Sequence, residues 1–132
     1  MRHTASFYLS MKIRIKTNSL RYRLTRTDVS QLASTGCLRD EVNFGGQSLV
    51  NVIKVTDNDD LSASFENNTI TMFIPEFMVG EFEHTDRVGF EKGNGQLYLL
   101  VEKDFACLEN VAEDQSDNYP NPLAEQYHEK GS

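Results

Sequence analysis

The clearest local signal of secondary structure in the sequence is MKIRIKTNSLRYRLT, residues 11–25. Apolar and basic residues alternate on both sides of a polar Thr-Asn-Ser segment. Period-two alternation around such a segment is typical of a half-buried antiparallel hairpin. We expect the loop at Asn18–Ser19, because asparagine tolerates the positive φ that a two-residue loop requires. In that register Arg14 faces Arg23, and the hairpin has one apolar face and one basic face.

The basic face of this hairpin holds the candidate anion-binding residues. We call it the cationic face, and its members are Lys12, Arg14, Lys16, Arg21 and Arg23. Like charges on paired strands destabilise the pair, so these charges need compensation. An anionic ligand or an acidic partner surface would provide it. The alternatives are solvation of an exposed face, or ion pairs within the chain to Glu41, Glu66, Glu81, Glu83, Glu91 or Glu102.

Composition and charge narrow the classes of function. The 132 residues have a formal net charge of −7, yet residues 1–40 hold eight basic and only two acidic residues. An acidic chain argues against general nucleic-acid binding, which needs a dominant basic surface. No apolar run approaches the ~20 residues of a membrane-spanning helix. Residues 1–10 also lack the apolar core of a signal peptide, so we expect a cytoplasmic protein with no membrane partner.

The order of elements is repeated along the chain. Residues 11–56 are predicted to form a hairpin, a helix and two more strands, and residues 61–108 show the same order. Thr25 and Asp28 fit a capping box at the start of the first helix. Pro75 suits the start of the second. We therefore predict an α+β fold: a duplicated ββαββ unit forming a mostly antiparallel eight-stranded curved sheet or barrel, with two short helices.

Two terminal segments differ from the predicted domain at 11–108. We expect residues 1–10 to be a disordered extension, which leaves Met11 as an alternative start. Residues 109–132 are acidic and poor in aliphatic side chains, so we expect a loosely ordered tail. The acidic residues that follow Cys107 lack the spacing of a zinc or calcium site. We therefore predict no metal ligands, no cofactor and no catalytic residues.

Four stretches together resemble a family of small bacterial proteins with no assigned function: MKIRIKTNSLRYRLTRTDV, SFENNTITMFIP, LLVEKDFACL and EDQSDNYPNP. The resemblance spans residues 11–122 and implies a bacterial origin but no activity. In architecture alone, a duplicated eight-stranded unit is similar to the CYTH-like triphosphate tunnel barrels. That resemblance implies a channel with basic residues for phosphates and glutamates for a metal. The first strand departs from the tunnel pattern, because Lys12, Arg14 and Lys16 alternate with no glutamate.

Two hypotheses from different classes of function remain. The favoured one is a non-enzymatic binding domain whose cationic face meets an anionic small molecule or an acidic protein surface. The alternative is a metal-dependent hydrolase of triphosphates or phosphate esters, with Glu102 and neighbouring carboxylates around magnesium. The direction of the arginines distinguishes them, since an enclosed set indicates the enzyme and an open face indicates the binding domain. The sequence leaves the ligand and the oligomeric state open.

Overall fold

The computed structural model describes residues 11–93 and 96–105. Within these ranges the chain forms eight strands and two helices. In chain order they are β1 (Lys12–Lys16), β2 (Ser19–Leu24), α1 (Arg26–Thr35), β3 (Cys37–Asn43), β4 (Ser48–Thr56), β5 (Ser62–Glu66), β6 (Thr69–Pro75), α2 (Glu76–His84), β7 (Gly89–Gly93) and β8 (Tyr98–Lys103). The predicted extension at 1–10 and the predicted tail at 109–132 lie outside the described residues.

The strands form two four-stranded sheets. The first sheet has the order β1-β2-β8-β7, and the second has the order β3-β4-β6-β5. Strands that follow each other in a hairpin pair antiparallel, whereas the central pairs β2–β8 and β4–β6 are parallel. The predicted α+β class and the mostly antiparallel pairing are confirmed.

The predicted eight-stranded curved sheet or barrel is wrong. Each sheet combines one hairpin from the N-terminal half of the chain with one from the C-terminal half, and each ends in two edge strands. Alternation along a strand predicts which side chains are buried, but it does not predict which distant strand becomes the neighbour. The parallel pairing of β2 with β8 therefore has no local sequence signal.

The first hairpin turns one residue earlier than the sequence predicts. Lys16 pairs with Ser19, so Thr17 and Asn18 form the loop, and Thr17 has a positive φ of 52°. The Ser19 hydroxyl donates to the Lys16 carbonyl at 2.6 Å. The Asn18 side-chain amide donates to the carbonyl of Gln96, which precedes β8. The side chain of Asn18 therefore links this loop to the hairpin formed by β7 and β8.

This shift corrects the register of the two strands. Arg14 pairs with Arg21 rather than with Arg23, and Arg23 pairs with Lys12. The pairing moves by two positions, and an even shift keeps every side chain on the same side of the sheet. The predicted composition of the cationic face therefore survives an incorrect register.

Helix α1 begins with the predicted capping box. The Asp28 N–H donates to Thr25 Oγ1 at 3.2 Å, and the Asp28 carboxylate accepts the Thr25 N–H at 2.9 Å. Val29 and Leu32 are buried in the core. The helix ends at Gly36, whose φ of 81° is a left-handed conformation that glycine adopts without strain.

A single hydrophobic core joins the buried faces of both sheets to both helices. Helix α2 follows Pro75 and contributes Met78, Val79 and Phe82. The fully buried apolar side chains of the strands include Tyr22, Leu24, Leu38, Ile53, Met72, Ile74 and Val101. The cationic residues predicted from the sequence lie on the side of the first sheet that faces away from this core.

Candidate anion-binding face

The cationic face lies on the side of the first sheet that faces away from the core. Leu20, Tyr22 and Leu24 of β2 are buried, so the alternate residues Arg21 and Arg23 point to the opposite side. The β1–β2 register brings the basic residues of β1 onto that same side. The structure thus brings together all five predicted residues: Lys12, Arg14, Lys16, Arg21 and Arg23.

Glu102 of β8 lies beside the two arginines of β2. The parallel register pairs Arg23 with Glu102. Glu102 Oε2 accepts hydrogen bonds from Arg21 Nε at 2.8 Å and from Arg23 Nε at 3.1 Å, and Arg21 Nη2 lies 2.7 Å away. The Glu102 side chain is only 17% exposed. One carboxylate therefore holds both guanidinium groups through charge-assisted hydrogen bonds.

Asp104 provides the second carboxylate. Its Oδ2 lies 3.2 Å from Lys12 Nζ, and its N–H donates to the Leu24 carbonyl at 2.8 Å. These two contacts hold the chain after β8 against the end of β2 and the start of β1. The face therefore compensates part of its charge with carboxylates of the same chain, one of the alternatives that the sequence left open.

Arg14 and Lys16 have no ion pair with any residue in 11–93 or 96–105. Five basic side chains face two paired carboxylates, which leaves a surplus of three positive charges. A shallow cleft of about 290 Å³ is lined by Lys12, Ile13, Arg14, Arg21 and Arg23. The exposed Arg14 guanidinium is thus next to the two arginines that Glu102 holds.

The far edge of the same sheet is acidic. Glu91 of β7 pairs with Leu100 of β8 and lies on the same side as Glu102. The Tyr98 hydroxyl donates to the Glu91 carboxylate, and this hydrogen bond raises the pKa of Tyr98. The outer side of the first sheet is therefore cationic on β1 and β2 and acidic on β7. An anion is attracted to the half of the sheet formed by β1 and β2.

Gly89 of β7 packs closely against Glu102 of β8 because it has no side chain. A Cβ atom at Gly89 would lie 2.9 Å from the Val101 carbonyl oxygen and 3.0 Å from the Glu102 Cβ. Both distances are shorter than ordinary van der Waals contacts. The close approach of β7 to β8 at this point therefore needs glycine.

The described part of the chain contains no group of three or more His, Cys, Asp or Glu residues that could hold a metal ion. Glu102, the carboxylate considered for magnesium, is engaged by Arg21 and Arg23. The channel that the resemblance to tunnel barrels implied is not formed, because the strands divide into two sheets with open edges. No helix within the described ranges is long and apolar enough to cross a membrane.

A family model described as a family of unknown function, DUF7009, matches residues 11–123. The chain belongs to the DUF7009 family. The predicted resemblance to an uncharacterised family is thereby confirmed. The DUF7009 match covers all five residues of the cationic face together with Glu102 and Asp104. A search of curated proteins found no match to this DUF7009 chain.

Two residues of the site, Asp104 and Gly89, have no predictive signal in the sequence. Asp104 reaches Lys12 only because β8 lies parallel to β2, and that pairing links residues about eighty positions apart. Gly89 looks like an ordinary loop glycine until its distance to Glu102 is known. Glu102 is one of the six glutamates predicted as compensating residues, and it is the one that contacts the face.

Proposed function

We propose that this protein is a binding domain whose cationic face binds an acidic segment of a partner protein. The observation that carries the proposal is the contact of Glu102 with Arg21 and Arg23 beside the exposed Arg14, which has no ion pair among the described residues. The face already binds carboxylates of its own chain, and it has positive charge left over. A carboxylate-bearing partner would extend an interaction that the chain makes with itself.

The spacing of the charges suits an extended peptide. Alternate residues along a strand are about 6.7 Å apart, and acidic side chains on one side of an extended peptide repeat at the same interval. Arginine at positions 14, 21 and 23 favours carboxylates, because its planar guanidinium donates two parallel hydrogen bonds. The shallow cleft is open to solvent along β1, which is an edge strand. These features support a flat polar interface.

Binding of this kind depends on salt. An exposed ion pair contributes about 0.2–1 kcal/mol, so three surplus charges give weak binding. Screening acts over about 8 Å at 0.15 M ionic strength, which reduces the attraction further. The charges steer the partner to this face and set its orientation more than they determine its affinity.

The tunnel-type hydrolase is not our proposal. Its channel needs a closed barrel with convergent basic residues, whereas these strands form two open sheets and the cationic face is exposed. Of the two carboxylates at the face, Glu102 is bound by Arg21 and Arg23, and Asp104 is paired with Lys12. No specific observation favours a hydrolase over a binding domain.

We also propose that the two halves of the chain derive from one duplicated ββαββ unit. The proposal is supported by the equivalent parallel pairs β2–β8 and β4–β6, each at the centre of a sheet. The positions of β5 and β6 that correspond to the cationic face are Ser62, Ser64, Glu66, Thr71 and Phe73. Only the first copy thus has a cationic face, which assigns the binding role to that copy.

The proposed function is tested by titrating the full chain into a fluorescent ten-residue glutamate peptide and measuring anisotropy. We expect Arg14→Gln with Lys16→Gln to weaken binding about tenfold, because two exposed ion pairs are lost. The matched control is Arg39→Gln with Lys54→Gln, which removes one Arg and one Lys from the exposed side of the second sheet.

The control variant should bind the peptide as the unaltered chain does. Equal weakening by both double variants would mean that net charge alone attracts the peptide. In that case the cationic face would not be the binding site.

A further inference from the structure

We infer that residues 106–123 of the same chain bind the cationic face and compete with the acidic partner. This inference rests on the proposed function, because it concerns the regulation of that same face. Residues 106–123 lie outside the described part of the chain, and the inference rests on their sequence and on the position of Asp104.

The described chain ends at the edge of the cationic face. Asp104 is held to Lys12 at 3.2 Å and to the Leu24 carbonyl at 2.8 Å, and Phe105 follows it. The described chain therefore ends within one residue of an ion pair to the cationic face. The segment that follows Phe105 is attached at this point.

The charge of the segment complements the charge of the face. Residues 106–123 contain four acidic residues and no Lys, Arg or His: Glu109, Glu113, Asp114 and Asp117. The face has a surplus of three positive charges once Glu102 and Asp104 are paired. Four carboxylates are sufficient to neutralise that surplus.

The segment is long enough to cover the face. Strand β1 has five residues and is about 17 Å long, and its neighbour lies about 4.8 Å away. Eighteen residues can extend to about 60 Å. Glu109 is four residues beyond Phe105, and four extended residues span about 14 Å.

Covalent connection makes weak ion pairs sufficient. A tethered segment has an effective concentration in the millimolar range near its attachment point. An acidic partner at lower concentration must displace it, so the segment acts as a competitor that is always present. The DUF7009 match includes both the cationic face and residues 106–123, and it ends before Glu125 and Glu129.

The boundary of the match offers a matched control. In the full chain, Asp114→Asn with Asp117→Asn removes two negative charges inside the segment, and Glu125→Gln with Glu129→Gln removes two outside it. We expect the first variant to bind the glutamate peptide about threefold or more tightly, and the second to stay unchanged. The difference should disappear at about 0.5 M NaCl, where screening is strong.

A separate experiment measures whether residues 106–123 lie close to β1, independently of peptide binding. A spin label on Ser116→Cys, in a chain with Cys37→Ser and Cys107→Ser, should broaden the amide NMR signals of Lys12–Lys16. The signals of Ser62–Glu66, an edge strand of equal length in the second sheet, should stay sharp. Adding Arg14→Gln and Lys16→Gln should restore the β1 signals.

The two failures are distinguishable. If the label leaves the amide signals of β1 sharp, or broadens the signals of β1 and β5 equally, the segment does not bind the face. The inference is then wrong, regardless of how the glutamate peptide binds. If the label broadens β1 but no variant binds the glutamate peptide, the segment binds its own face and the proposed acidic partner is wrong. An effect of Glu125→Gln with Glu129→Gln equal to that of the segment variant would also contradict the inference.

Discussion

At the scale of single residues, Glu102 determines how the cationic face is arranged. Both guanidinium groups of β2 donate to one of its oxygens, and its side chain is 17% exposed. A partly buried carboxylate with two partners contributes more than an exposed ion pair, because its removal leaves positive charges close together. Glu102 thus allows the basic residues of β1 and β2 to lie on neighbouring strands.

We expect Glu102→Gln to reduce the free energy of unfolding by about 1–2 kcal/mol, because Arg21 and Arg23 lose their shared partner. The same variant should bind the glutamate peptide more tightly, since the face gains one positive charge. Urea unfolding and anisotropy measure the two effects. The control is Glu41→Gln, whose pair with Arg39 is exposed and should contribute less than about 0.5 kcal/mol. Equal losses in both variants would show that Glu102 has no special role.

Gly89 gives a second test at this scale. Gly89→Ala places a Cβ atom 2.9 Å from the Val101 carbonyl oxygen, and both strands must move apart. We expect a loss of about 1–3 kcal/mol in calorimetry or urea unfolding. Gly80→Ala is the matched control, because a Cβ there meets no atom within 4 Å and Gly80 lies inside helix α2. The control should be stabilised by about 0.5–1 kcal/mol. A stable Gly89→Ala variant would contradict the close contact.

At the scale of elements, local patterns predict the helices and the side-chain faces, but they place the first hairpin loop one residue too late. The capping box of Thr25 and Asp28 predicts the start of α1, because the pattern describes a complete local set of hydrogen bonds. The hairpin loop lies one residue earlier than predicted, and there the Asn18 side chain bonds to Gln96, a distant residue that no local pattern reveals. The side-chain faces survive, since alternation depends only on whether a position is odd or even.

The cap of α1 can be tested directly. Thr25→Ala removes the oxygen that accepts the Asp28 N–H, and we expect a loss of about 1 kcal/mol in the free energy of unfolding. Thr27→Ala is the control, because Thr27 is exposed within the same helix and alanine has the higher helix propensity. The cap has no role if thermal melting shows the two variants to be equally stable.

At the scale of the whole molecule, the central parallel pairs decide both the fold and the site. The pairing of β2 with β8 brings Glu102 and Asp104 to basic residues that are about eighty to ninety positions earlier in the chain. The alternation of apolar and basic residues predicts the members of the cationic face. The surplus of acidic residues in the chain predicts that some of these basic residues form ion pairs. Neither pattern identifies which carboxylates pair, because the closure of distant strands depends on the packing of the entire core.

NMR mapping of amide chemical shifts tests whether the cationic face binds an acidic segment. Uniformly labelled full chain is titrated with the ten-residue glutamate peptide at low and at high salt. We predict that the shifts concentrate on Lys12–Lys16 and Ser19–Leu24, and that they disappear as salt increases. Shifts concentrated on Cys37–Asn43 or Thr69–Pro75 of the second sheet, or shifts that persist in high salt, would contradict the account.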